Sequence, residues 1–345
     1  MTRVWFNRTF SNVRTLFELI RRADTAADFT LICTHPEPSF PGFTLAHEYA
    51  LEPAELSDAE YLDFCLDFCR THRIDALWPG KTAHLLAEQR DRFAANGVRV
   101  LAVAAPEVLD RLHDKAQFAL AARHCHIPPP ETIAFRTAAE FEAAYERLSF
   151  SHATLCIKPA QGVNGAGFRV IQPGNAGLDA LARDELYTIS LACLRQRLAV
   201  TPSAQTWLLM EYLDGTEYSV DAVGDGQRVR ALVQRAKTTG RGYGQRLVAR
   251  ADLTQAVNEL TAQFGLTGLF NIQFRAGRHG LRLLEINPRF AGGIGYSGAA
   301  GINLPYLALH GMIHGFASAT QTAPQHAPEM TVLEVAHYLR HEDAV

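Results

Sequence analysis

Through the first hundred residues, short apolar runs alternate with stretches of helical period. Arg3 to Phe6 and Phe29 to Cys33 read as strands, with Tyr49-Ala50 a short third. Val13 to Arg22 has helical spacing. Asp58 to His72 does too, gathering Tyr61, Leu62, Cys65, Phe68 and Cys69 on one face. Ala76 to Trp78 is a strand stopped by Pro79-Gly80, Leu85 to Ala95 a helix, and Val98 to Val103 a strand. Strand–helix alternation predicts an α/β fold built on a doubly wound parallel sheet. Such sheets collect ligands at the carboxyl ends of their strands. Asn7 to Thr9, Thr34 to Pro38 and Pro79 to Thr82 are therefore candidate pocket walls. Residues 1–105 contain no GxGxxG, so a dinucleotide is not expected on this sheet.

The pattern then changes. Pro106 to His124 reads as one helix, halted by Ile127-Pro128-Pro129-Pro130. Strand Thr132 to Phe135, helix Ala138 to Leu148 and strand Thr154 to Lys158 lead to the turn QGVNGAG and a strand at Phe168 to Ile171. Further strands are expected at Trp207 to Tyr212, Glu217 to Val223, Val229 to Arg235, Gly268 to Arg275 and Gly280 to Ile286. Helices are expected at Asp184 to Ala199, Leu253 to Phe264 and Leu304 to His314. Thr238 to Arg246 is a glycine-rich loop, Gln321 to Glu329 a polar linker, and Thr331 to Tyr338 a last strand. Paired strands here imply α+β architecture.

With 345 residues the chain can form two or three domains. A formal net charge of -3 argues against nucleic acid or a membrane surface as partner. No run approaches the roughly 18 apolar residues of a membrane span, and the first residues lack a signal peptide's apolar core, so a cytoplasmic protein is expected. The six cysteines lie in apolar segments and read as core thiols.

Three stretches carry candidate chemistry. In LLEINPRFAGG, Glu285, Asn287 and Arg289 recur at every second position, so a strand would aim them at one face. A hairpin across Gly277 to Gly280 would bring Gln273 beside Glu285 and Asn287. Oxygen donors of this kind suit Mg²⁺, and Arg289 beyond them suits a phosphate. An ordinary half-exposed hairpin accounts for the pattern as well. Lys158 emerges from an apolar strand into Gln161, Gly162, Gly165 and Gly167, which suits an anion clamp or a plain turn. Glu211, Tyr212 and Leu213 cross from a strand into a turn ahead of Glu217. That arrangement fits an adenine edge and a ribose, or a hairpin with surface acids.

Taken in order, Lys115, Lys158 with its glycine turn, Glu211 to Glu217, Gln273 and Glu285-Ile286-Asn287-Pro288-Arg289 resemble the ATP-grasp superfamily. The likeness spans roughly Pro106 to Ser318 and is strongest to its carbamoyl-phosphate-synthetase-like, carboxylate–amine ligase branch. It implies a pre-ATP-grasp domain over 1-105, a lid with its linking helix over 106-207 and a large lobe over 208-345, with ATP clamped between antiparallel sheets. It further implies that Lys115 and Lys158 hold phosphates under a flap of Gln161 to Gly167. Backbone groups at Glu211 and Leu213, beside Tyr212, would take adenine, and Glu217 ribose. Gln273, Glu285 and Asn287 would hold one or two Mg²⁺ ions, for which Mn²⁺ can substitute, and Arg289 would face the transferring phosphate. Arg235, beside the glycine-rich loop with Lys237, Arg241 and Arg246, is the first choice for gripping a substrate carboxylate. The implied activity is ADP-forming ligation of a small carboxylate to an amine through an acyl phosphate, in a possible homodimer. Carboxylation of an amine and nucleotide binding without catalysis are the alternatives. A full carbamoyl phosphate synthetase, with two such units, is too long to fit. Gln273 stands where many members carry an acid, and FNRTFSN replaces a glycine-rich turn, so the substrates are left open.

Overall fold

The computed structural model describes residues 1–10, 12–162, 165–174, 187–200, 205–237, 244–316, 321–322 and 329–330. Internal contacts divide the chain into two units. The first is Met1–Asp110 with Tyr218–Ile272 and Ile286–Val345; the second is Arg111–Glu217 with Gln273–Glu285.

The first unit opens on β1 (Thr2–Asn7), β2 (Phe29–His35), β3 (Glu48–Leu51), β4 (Ala76–Pro79) and β5 (Arg99–Val100). These form one parallel sheet in the order β3-β2-β1-β4-β5. Val4 and Phe6 turn to one face, against Leu16, Phe17 and Ile20. Trp5 and Ile32 turn to the other, against Tyr61, Cys65 and Phe68. Cover on both faces explains strands that are apolar throughout. Ser57 and Glu60 form a capping box that starts the helix Asp58–Thr71. The expected helix over 85–95 is two pieces, Ala83–Glu88 and Arg90–Ala94, meeting at Gln89. The order reverses between β1 and β4, so residues 7–9 and 79–82 flank the switch point.

In the second unit, β6 (Thr132–Phe135), β7 (Leu155–Pro159), β8 (Arg169–Gln172), β9 (Thr188–Ser190) and β10 (Trp207–Glu211) form a sheet ordered β6-β10-β7-β8-β9. Its core joins Phe135, Phe141, Leu148, Ile157 and Leu209. The single helix expected over 106–124 is interrupted. Asp114 takes an extended backbone, and its carboxylate accepts from the N–H groups of Ala116 and Gln117. An aspartate cap ends Pro106–His113 and begins Lys115–Ala121, putting Lys115 in a first turn. The helix expected from Asp184 begins later, at Leu191–Val200; residues 184–186 lie outside the described residues.

A third sheet comprises β11 (Glu217–Asp225), β12 (Val229–Lys237), β13 (Gln245–Val248), β14 (Thr267–Gly277), β15 (Gly280–Asn287), β16 (Gln321–Thr322) and β17 (Glu329–Met330). Its order is β15-β14-β11-β12-β13-β17, with β16 beside β12. Only Arg278-His279 link β14 to β15, which requires an antiparallel hairpin. Residues expected as a linker thus contribute two short strands, while the strand expected over 331–338 lies outside the described residues. The result is a mixed α/β fold with one parallel sheet and others largely antiparallel. None of the six cysteines forms a disulfide. Among the described residues no helix is long and apolar enough to cross a membrane.

Candidate active site

Lys158 sits near the end of β7, opposite Leu208 of β10, after the buried run Leu155-Cys156-Ile157. Burial holds its ammonium below the ordinary lysine value; the charge of Lys115 lowers it further, and the Glu285 carboxylate opposes this. Lys115 is lowered by burial too, again opposed by Glu285. Lys115 donates from Nζ to Gly162 O at 2.6 Å and from its backbone N–H to Ala160 O at 3.1 Å. Asp114 also acts on Lys115, so two partly desolvated cations stand near Glu285 and Asp114, an arrangement that can hold a polyanion. Gln161, Gly162 and Gly165 are exposed. Gly167 has φ +77°, and a Cβ there would lie 2.8 Å from the Pro159 ring, so the turn back onto β7 requires glycine. Val163 and Asn164 of the expected flap lie outside the described residues.

The Glu211 N–H is already bonded to Glu131 O at 3.3 Å, and the Tyr212 N–H to Thr154 O at 3.1 Å. The carbonyl of Glu211 takes a long 3.7 Å contact from Cys156 Sγ. Of the backbone groups expected at an adenine edge, the N–H of Glu211 is therefore committed. The Glu211 carboxylate is buried, with Arg282 Nε at 3.4 Å and His152 Nδ1 at 3.9 Å; His152 Nε2 reaches Glu131 at 3.2 Å. Pattern reading missed this cluster because His152 belongs to no element. Leu213 is buried, and Glu217 is half-buried at the start of β11.

Gln273 and Glu285 lie on the neighbouring strands β14 and β15, both half-buried. Asn287 follows Glu285 by two and shares its face. Arg289 does not: β15 ends at Asn287, Pro288 brings no N–H, and the Arg289 N–H turns back to Asn287 O at 2.7 Å. Its guanidinium instead lies 4.7 Å over the Phe10 ring and donates to Phe290 O at 3.1 Å. Among the described residues no group of three or more His, Cys, Asp or Glu is arranged to hold a metal ion. One carboxylate and two amide oxygens, with lysines close by, fit Mg²⁺ only as a cation that takes most of its ligands from phosphate and water.

Within the first unit, the loop after β1 meets the loop after β15: Asn12 Nδ2 donates to Ala291 O at 2.7 Å, and Phe10 packs on Phe290. Arg8 holds φ +36°, and its N–H donates to Glu52 Oε1 at 3.0 Å. Its guanidinium lies 4.0 Å over the Tyr61 ring. Tyr61 Oη donates to Glu52 Oε2 at 3.0 Å. Burial pushes the Glu52 carboxyl up, against these hydrogen bonds and the Arg8 charge. A Cβ on Gly80 would lie 2.3 Å from Asn7 O, so the two loops at the switch point touch through glycine. Sequence reading found both loops but not Glu52, although it directly follows a parallel strand at its carboxyl end.

Arg235 departs from expectation. It lies inside β12 and is 2% exposed. Nε and Nη2 donate to Asp221 Oδ2 at 3.2 and 2.7 Å, Nη2 also to Ser219 Oγ at 3.0 Å, and Nη1 to Gln245 Oε1. Asn271 Nδ2 completes the cluster, donating to Asp221 Oδ1 and Ser219 Oγ at 2.9 Å each. A Cβ at Gly293 would come within 2.1 Å of Nη1. The charge expected to take a substrate acid is thus already paired to a buried aspartate. Lys237 and Arg246 are exposed, and Arg241 lies outside the described residues.

Solved structures share this architecture. The N5-carboxyaminoimidazole synthetase of Staphylococcus aureus superposes with a TM-score of 0.65 at 13% identity, over 95% of this chain and 80% of that one. The biotin carboxylase domain of Hydrogenobacter thermophilus 2-oxoglutarate carboxylase, solved as a dimer with MgADP, ADP and bicarbonate, gives 0.65 at 12% identity, over 93% and 71%. The L-amino acid ligase of Bacillus licheniformis gives 0.61 at 15% identity, over 91% and 75%. The chain thus has the ATP-grasp fold of these structures. Residues 203–338 match the family model described as ATP-grasp in the biosynthetic pathway with Ter operon.

Proposed function

We propose that the chain is an ATP- and Mg²⁺-dependent ligase joining a small carboxylate to an amine in the cytoplasm, with release of ADP and phosphate. The observation that carries this is the pair of lysines, 115 and 158, whose ammonium groups are both held down by burial beside the Gly162 turn and both feel the Glu285 carboxylate. Positive charge taken out of water is costly to keep unless an anion meets it. The functional parts we assign are 1-105 for the second substrate, 106-207 as lid and 208-345 as the catalytic lobe.

In this reading Lys115 and Lys158 bind the phosphates and hold them under the turn of Gln161, Gly162, Gly165 and Gly167. The carbonyl of Glu211 and the backbone of Leu213, with Tyr212 alongside, receive adenine, and Glu217 the ribose. Gln273, Glu285 and Asn287 would hold Mg²⁺, which when bound neutralises charge on the triphosphate. The substrate carboxylate attacks the γ-phosphorus, and the bond to the ADP oxygen breaks. The amine then displaces phosphate from the acyl carbon and loses a proton. Arg289, which has left the face of Glu285 and Asn287 and lies over Phe10, would have to swing from that ring to bring its positive charge to the transferring group. We reassign Arg235 from gripping the acid to positioning, since its donors hold Asp221, Ser219 and Gln245. Carboxylation of an amine is the second reading, favoured by the likeness to a synthetase and a biotin carboxylase domain of that chemistry. ADP release from ATP, measured against panels of acids and amines and against bicarbonate, separates the two. Release that needs an acid and an amine supports ligation, release that needs bicarbonate supports carboxylation, and none with either removes both.

A further inference from the structure

A cavity of about 350 Å³ opens within the first unit, beside β5 and apart from every residue assigned above. Arg90 and Arg99 line it, and no aspartate or glutamate does. Arg99 Nη1 donates to the carbonyls of Met312 and Ile313 at 2.9 Å each, at the end of the helix Leu304–His314. Arg90 donates from Nε to Ala87 O at 3.1 Å and from Nη2 to Ala104 O at 3.5 Å. These carbonyl contacts orient the two guanidiniums without neutralising them, for neither has a carboxylate partner among the described residues. Between β5 and the helix Pro106–His113 the chain bends, and the N–H groups of Ala102 and Ala104 meet no acceptor among the described residues. Met312 and Phe316 supply an apolar wall.

We propose that this cavity, with Arg90, Arg99 and the Ala102–Ala104 bend, binds a small organic oxyanion, a carboxylate or phosphate monoester with a short apolar body. Two guanidiniums in fixed orientation present forked donors, which match planar or tetrahedral oxyanions better than halide or a neutral solute. The N–H groups of Ala102 and Ala104, at the bend that lines the cavity, are two further donors for an oxyanion. The volume lies at the low end for ligand pockets, which limits the occupant to a small metabolite.

The test uses the full chain, with benzoate, phenyl phosphate and neutral benzyl alcohol as probes in isothermal titration. At least one acid is expected to bind with a Kd of about 1 mM or tighter, and benzyl alcohol more weakly by about tenfold. Arg90→Ala should weaken that acid about tenfold, Arg99→Lys less, and Lys158→Ala should leave it within about twofold. Whichever acid wins identifies the head group. Hydrogen exchange should show protection of residues 99–105 on binding; it also reports whether each variant keeps its fold. The proposal is overturned if neither acid binds by about 10 mM, if benzyl alcohol binds equally well, or if Lys158→Ala rather than Arg90→Ala abolishes binding. The Lys158 arm keeps failure here distinct from failure of the nucleotide reading.

Discussion

The guanidinium of Arg289 lies 4.7 Å above the ring of Phe10. One residue follows the strand that carries Glu285; the other follows the first strand of the chain. A cation over an aromatic face is attracted by the ring's quadrupole and restrained there. Phe10→Ala should free Arg289 to sample other rotamers. We expect a rise in the KM for the acid with the KM for ATP unchanged, and a stability loss of about 1–2 kcal/mol from the half-buried ring. Phe10→Tyr should restore both. Steady-state kinetics and urea denaturation check this, and an unaltered acid KM in Phe10→Ala would remove the ring from positioning.

Lys158→Met should raise the Kd for ATP at least tenfold, about 1.4 kcal/mol, as expected for one lost charge-assisted contact. The nucleotide-free protein should be no less stable than the parent. The sign follows from burial: the folded chain releases this proton at a lower pH than the unfolded chain. Between the lowered value and the ordinary 10.5 the unfolded chain therefore binds more protons, and stability rises with pH. Lys158→Met should flatten that rise in denaturation curves collected above neutral pH. An unchanged slope would mean that the ammonium is solvated.

Glu285→Gln preserves shape and removes the only carboxylate of the expected metal set. ADP release should fall by about a hundredfold or more, several kcal/mol of transition-state stabilisation, while circular dichroism stays that of the parent. Added Mn²⁺ should recover part of the loss. Parent-level turnover would exclude Glu285 from the metal site.

Arg235→Ala leaves Asp221 buried without its charge partner, and the cost should be about 3–5 kcal/mol by chemical denaturation. Gly293→Ala places a methyl group where Nη1 stands and should cost about 1–3 kcal/mol. The two effects should not add, because both act on one guanidinium. Additive losses would show that Gly293 serves something else.

The parallel sheet was legible because two-sided burial writes unbroken apolar runs, as at Val4-Trp5-Phe6. The hairpin of β14 and β15 was legible because its link is two residues long. Less was visible where a single polar group overrides periodicity. Asp114 splits what spacing alone makes one helix, though aspartate is a strong cap. Pro288 ends β15 and so removes Arg289 from the face that alternation assigned to it. Arg235 looked like a free charge at a strand end; only the register that sets it against Ser219, and the fold that brings Asp221 within 2.7 Å, reveal it as paired. Glu52 and Tyr61 meet Arg8 through tertiary structure across 44 or more residues of sequence, beyond the reach of local pattern.

The bond from Lys115 Nζ to the Gly162 carbonyl, 2.6 Å long, means that a phosphate does not arrive at an idle cation. An ammonium has three N–H donors, and one of them is spent on the turn. In the proposed reading the other two would meet the phosphate, aimed by the bond to Gly162. A polyphosphate that also reached Lys158 would gain from both cations at once, whereas a small singly charged anion would gain from one.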